Sequence, residues 1–167
     1  MLKWFLRCGG VCAALFLMLA AHAADYIWLE AENPTRENVT TTPADAPNPQ
    51  FISGGKWLNY TVGEGDVQKT VPKEGALFSY DFTANTAGAY EVWMRQGFIS
   101  LRKPFQWRID QGEWKQKNST DSTPDMMRLA EWVEVAWLKL GSANLTAGAH
   151  TLQIGIPLLP DAYTGAG

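Results

Sequence analysis

The chain has 167 residues, 46% hydrophobic and 19% charged, with a formal net charge of −3 at pH 7. A mildly acidic balance with no basic cluster excludes nucleic acid and anionic membrane surfaces as natural partners. Eight tryptophans are more than a domain of this length needs to fill its core, so some of these rings are candidates for a ligand surface.

The first segment reads as a processing signal. Lys3 and Arg7 give a positive start, residues 11–20 are an apolar run, and Ala21-His22-Ala23 is a small-x-small cleavage site. That is a secretory signal peptide over 1–23, directing the chain to the periplasm or the medium. The run is short for a bilayer span, and the well-formed cleavage site outweighs an uncleaved anchor helix. Cys8 and Cys12 both lie in this segment, so the mature chain has no cysteine. An exported domain without disulfides depends on its core, or on a metal, for stability. Taking 23 residues from 167 leaves 144, enough for one well-buried domain. Taking Lys3 and Arg7 from the 14 basic residues leaves 12 against 17 acidic, a net charge of −5.

Residues 26–32, YIWLEAE, predict a first strand. Residues 33–50, with four prolines, predict a long polar loop. Residues 51–55 end it at Gly54-Gly55, and 56–62 predict a short strand. Residues 63–75 are polar and turn-rich. Residues 76–83 predict a strand with Phe78, Tyr80 and Phe82 on one face, and 85–88 turn the chain into a hairpin partner. In that partner, 90–95, Tyr90, Val92 and Met94 share one face while Glu91, Trp93 and Arg95 share the other. Residues 105–110 alternate Phe105, Trp107 and Ile109 with Gln106, Arg108 and Asp110. A turn over 110–113 leads to a short return strand starting at Trp114. Residues 117–128 read as polar and irregular, with 125–131 as the one candidate for a turn or two of helix. Residues 131–140 predict one long or bulged strand, 141–148 a glycine-bearing connection, and 150–156 a strand with Leu152, Ile154 and Ile156 inward. Short strands separated by glycine and proline turns, with no convincing helical period, predict an all-β fold, an antiparallel β-sandwich. Residues 157–167 trail off without a closing strand.

Four stretches resemble carbohydrate-binding modules of families 6 and 35: Leu29-Glu30-Ala31-Glu32, Ser53-Gly54-Gly55-Lys56-Trp57-Leu58, the Gly88-to-Arg95 strand GAYEVWMR, and Gly148-Ala149-His150-Thr151-Leu152. Each is short and degenerate, so the likeness is to a superfamily pattern spread over the mature chain. It implies a β-jelly roll over 24–160 that closes with a strand after an Asp-containing turn. Here the chain stops soon after Asp161, so the resemblance implies that the last strand is missing or belongs to further sequence, with 161–167 a truncated or loose tail. It also implies attachment to a glycoside hydrolase or polysaccharide lyase, making a catalytic domain an expected partner.

Glu30 and Glu32, two apart on the predicted strand, point to the same face. Two adjacent carboxylates suit calcium, a hard cation that takes oxygen ligands; a solvated edge strand accounts for them equally well. The resemblance favours structural calcium and offers Asp161 as a weaker third ligand. Sugars present an apolar C–H face and a rim of hydroxyls, which aromatic rings and planar polar groups match. The candidates are Trp57, Phe98, Trp114 and Trp132, with Asn59, Arg95 and Asp110 as polar partners; Trp107 and Trp137 read as core. No nucleophile elbow, histidine pair or glycine-rich phosphate loop is present in the sequence. The leading expectation is therefore non-catalytic binding of an oligo- or polysaccharide by a secreted module accessory to a polysaccharide-degrading enzyme. The alternative is a structural or adhesive sandwich that packs against another domain or a surface protein. A small hydrolase or lyase on the same fold ranks last. An isolated exposed aromatic platform beside polar groups separates the first from the second.

Overall fold

A computed structural model describes residues 26–62, 64–97, 104–117, 122–131 and 133–158. The expected signal peptide (1–23) and the expected tail (161–167) lie outside these residues, as do Phe98, Trp132 and Asp161. The described strands are β1 (Arg36–Glu37), β2 (Thr42–Asp45), β3 (Lys56–Asn59), β4 (Ala76–Ala84), β5 (Gly88–Gly97), β6 (Phe105–Ile109), β7 (Lys115–Lys117), β8 (Ser122–Ala130), β9 (Val133–Leu145) and β10 (Gly148–Ile156). They form a five-stranded sheet ordered β1-β4-β10-β6-β7, a three-stranded sheet β5-β9-β8 and a two-stranded ribbon β2-β3. Every pairing is antiparallel, and the sheets pack as a β-sandwich. Among the described residues the helical content is short 3-10 turns and one four-residue turn, α1 (Val67–Thr70).

The core forms where the alternating strands expected it. Phe78, Tyr80, Phe105, Trp107 and Ile154 are buried in one cluster, and Val92, Met94 and Leu140 of the three-stranded sheet pack against it. Trp107 is fully buried. Its ring lies against the backbone of Gly141, where an added Cβ would sit 3.1 Å from Trp107 Cζ2 and φ is 147°. Only glycine combines that conformation with so close an approach. A bulge accompanies it: Val92 pairs with Gly141 but Trp93 pairs with Lys139, so Leu140 is left over and turns into the core. The edge strand β7 fastens the two sheets here. Lys115 donates to the Ser142 carbonyl at 2.9 Å, and the buried Lys117 donates to that of Lys139 at 2.9 Å.

Four expectations change. Residues 26–32 are not a strand. The Asn33 amide closes a turn on the Glu30 carbonyl at 3.1 Å, and the Tyr80 hydroxyl takes the Ala31 carbonyl at 2.8 Å, so a side chain replaces the sheet ladder. The expected loop 33–50 contains β1 and β2. Asn38 substitutes for further pairing beside β1, accepting from the Leu77 amide at 2.7 Å and donating to the Gly75 carbonyl at 3.1 Å. Of the region expected to be irregular, with a helical turn near its end, residues 122–130 are β8, paired with β9. Finally, β9 starts at Val133 and runs through the expected connection to Leu145, because the bulge keeps it in register with β5.

Candidate functional site

Alternation along β5 sends Val92 and Met94 toward the core and Trp93 and Arg95 the other way. Across the strand pair, Trp93 faces Lys139 and Arg95 faces Trp137, so these four side chains share one face. Trp93 is 43% exposed, and its indole N–H donates to Glu91 Oε2 at 3.1 Å. Glu91 also accepts from Lys139, whose ammonium is 5.7 Å from the Trp93 ring centroid. Hydrogen bonds from Lys139 and then Trp93 hold the Glu91 carboxyl below the usual carboxylate range.

Arg95 lies over Trp137 at 5.9 Å from its centroid. It donates to the Phe51 carbonyl at 2.7 Å and reaches Met127 Sδ at 3.2 Å. The N-terminal segment completes the face. Trp28 meets Trp137 edge to face, with centroids 6.0 Å apart and planes at 72°. Trp28 is 61% exposed, and its N–H donates to Glu30 Oε1 at 2.8 Å. Glu30 also accepts from the Ser53 hydroxyl. The two exposed tryptophans are therefore held alike, each tied at its N–H edge to a carboxylate two residues away. The tie engages the N–H edge; Lys139 stands over the Trp93 ring and Trp137 meets that of Trp28, and the rest of each ring is open to solvent.

Trp28, Trp93, Trp137 and Arg95 border a space of about 1230 Å³ together with Trp57 and Tyr60; the same space continues along the core residues Phe78, Tyr80, Val92 and Met94. The sequence-predicted residues it brings together are Trp57, half-buried on β3 opposite Ala44, Arg95, and the two candidate calcium ligands Glu30 and Glu32. Asn59 sits at the end of the same strand, exposed, accepting from Thr61 Oγ1 at 3.0 Å, and does not line the cleft. Trp114 is apart from it. Its ring lies under Arg108, 4.4 Å from the guanidinium carbon, and its Cη2 is 3.4 Å from where a Cβ would sit on Gly155. Asp110 caps a turn, accepting from the Thr151 amide at 2.8 Å and facing His150 at 2.8 Å. Phe98 and Trp132 lie outside the described residues.

Trp28, Trp93 and Trp137 were not among the sequence candidates, and Trp137 was assigned to the core. The signal that finds the exposed pair is the spacing itself: Trp28-x-Glu30 and Glu91-x-Trp93 each place a carboxylate beside an indole N–H.

Glu30 and Glu32 still approach one place without a strand to align them. Glu30 takes the Ser53 hydroxyl, and Glu32 Oε1 is 3.6 Å from where a Cβ would sit on Gly54. Among the described residues no group of three His, Cys, Asp or Glu side chains is placed to hold a metal ion, and Asp161 is not among them. The face as a whole offers stacking surfaces and fixed hydrogen-bonding groups. No protein-family model, curated protein or solved structure matches the chain.

Proposed function

We propose that the protein is a secreted or periplasmic β-sandwich that binds an oligo- or polysaccharide without catalysing a reaction on it, as an accessory to a polysaccharide-degrading enzyme. The observation that carries this reading is the pair of exposed tryptophans, Trp28 and Trp93, each tied through its N–H to a carboxylate. Rings fixed before the ligand arrives lose little freedom on binding, and an indole face complements the C–H face of a sugar. Trp137, Trp57 and Arg95 extend the surface into the cleft. Affinity on such a site is modest, because sugar hydroxyls exchange water hydrogen bonds for protein ones at little net gain.

Structural calcium near Glu30 and Glu32, with Asp161 as a third ligand, belongs to the same proposal. Both glutamates lie by the Ser53–Gly54 turn, where an ion would relieve their repulsion and fix the segment that carries Trp28. Melting in EDTA and in calcium tests it: a clear fall in Tm on chelation is expected, and identical melting with no calcium by elemental analysis removes the ion.

A glycan array probed with the secreted protein tests the binding itself. Retention on a defined group of glycans, lost in the Trp28→Ala, Trp93→Ala double variant, is the expected result. The second reading, a structural or adhesive module, draws on the exposed Met126 and Met127 of β8, an edge strand next to this face. Silence across the array, with tryptophan fluorescence responding only to a protein partner, favours it.

A further inference from the structure

Residues 146–147 connect β9 to β10 and so carry the chain from the three-stranded sheet to the five-stranded one. His150, near the start of β10, lies against this connection with its side chain only 8% exposed. Its Nε2 is 2.9 Å from the Thr146 carbonyl oxygen, and its Nδ1 is 2.8 Å from Asp110 Oδ2. Both partners are acceptors. A peptide carbonyl has no proton to give, and an ionised carboxylate has none either. A neutral imidazole carries one N–H and satisfies one of them; the imidazolium carries two and satisfies both.

We propose that His150 is a proton-operated latch on the connection between the two sheets: as imidazolium it ties Thr146 to Asp110, and on losing a proton it releases Thr146. The carboxylate is the stronger acceptor, so the remaining proton stays on Nδ1. The lone pair then exposed on Nε2 faces the Thr146 carbonyl and repels it.

The surroundings fit this assignment. Asp110 comes from the turn after β6, at φ 54°, and its other oxygen accepts from the Thr151 amide. Its partial burial opposes ionisation, but the hydrogen bonds from His150 and Thr151 hold its carboxyl below the usual range. The hydrogen bonds to Asp110 and then to Thr146 hold the imidazole above its ordinary value. From β4, Phe82 packs its ring 5.7 Å from the imidazole. The next charge on that strand, Asp81, accepts from Thr151 Oγ1 and is paired with Arg36 of β1. Just before the connection, Ala143 and Leu145 of β9 line the cleft.

His150 is the only histidine after residue 22, so its ring signals are unambiguous in the mature protein. Imidazole 15N spectra and amide exchange at Thr146, Ala147 and Gly148 from pH 5 to 9 test the latch. The expected result is a doubly protonated ring that titrates above about 6.5. Protection of the connection, corrected for intrinsic exchange, falls roughly fivefold through the same midpoint, the equivalent of one ordinary hydrogen bond. Asp110→Asn, which suits the left-handed turn, lowers both midpoints together. His150→Gln removes the pH dependence; if that variant does not fold, the Asp110→Asn comparison decides alone. A ring that titrates at or below 6.5, or a connection that loosens at an unchanged pH in Asp110→Asn, overturns the proposal.

Discussion

Trp114, just before β7 of the five-stranded sheet, and Trp93 on the three-stranded sheet are both tryptophans beside an arginine or lysine, yet they have opposite fates. At Trp114 the partner sits on the ring: Arg108 is 4.4 Å from the centroid, and Gly155 lets the backbone approach the ring edge. Arg108 is itself fixed, donating to Gln153 at 2.6 Å, which donates to Ser79 at 3.2 Å. The stack is a piece of structure. At Trp93 the main partner takes the N–H, at the rim, and Lys139 is drawn to Glu91. The same holds at Trp28. Whether a surface tryptophan is available to a ligand depends on which part of the indole its neighbours occupy, and a position just after a turn does not decide it.

Substitutions in the two regions separate these roles. The largest effect belongs to neither and calibrates both: Trp107→Ala, in the fully buried core, costs about 3–5 kcal/mol of stability, read by denaturant unfolding. Trp114→Ala costs about 1 kcal/mol through the lost stacking with Arg108 and leaves glycan binding unchanged. Trp28→Ala and Trp93→Ala each weaken binding by about fivefold, roughly 1 kcal/mol per ring, with little change in Tm. Glu91→Ala weakens binding less, about twofold to threefold on the scale of an exposed hydrogen bond. It also raises the mobility of Trp93, visible in fluorescence anisotropy; unchanged mobility would mean that the N–H tie does not orient the ring.

The smallest effect is that of pH on folding. The carboxyls of Asp45, Asp81 and Glu91 are held low by hydrogen bonds from Lys56, Arg36 and Lys139 respectively. Folded values below the unfolded ones stabilise the protein fully above about pH 4, and that stability is lost as pH falls through the lowered values. On this account Tm declines on acidification through the lowered carboxyl values, while the raised imidazole of His150 adds stability at acidic pH that is lost as pH rises through its folded value. A Tm that rises as these groups protonate contradicts the pairing.

Alternation made β4, β5, β6 and β10 legible, because each has one face in the core and period-two patterning follows directly from that. Trp107 was legible for the same reason. β1 and β2 were not: Arg36-Glu37 has no apolar side, and the polar Asn38 anchors the chain beside it. Residues 26–32 misled in the other direction. Their pattern suits a strand, but Tyr80 and a local turn claim the backbone. β8 was hidden by Pro124 and Asp125, which read as loop; β9 pairs with Ser122 and again from Met126 onward, and the ladder is irregular between them. For the candidate site, the sequence nominated Trp57 and Arg95, which the structure places along one space, and alternation showed that Trp93 faces away from Val92. It did not show what covers that face, because the cover comes from the N-terminal segment, distant in sequence.

The most direct test of the account is titration calorimetry with an oligosaccharide selected on the array, comparing the native protein, the Trp28→Ala, Trp93→Ala double variant and Trp114→Ala. The account predicts that the double variant loses measurable binding while melting like the native protein, and that Trp114→Ala binds normally while melting earlier. Full affinity in the double variant, or loss of affinity in Trp114→Ala at unchanged stability, would place the ligand on the other sheet and contradict it.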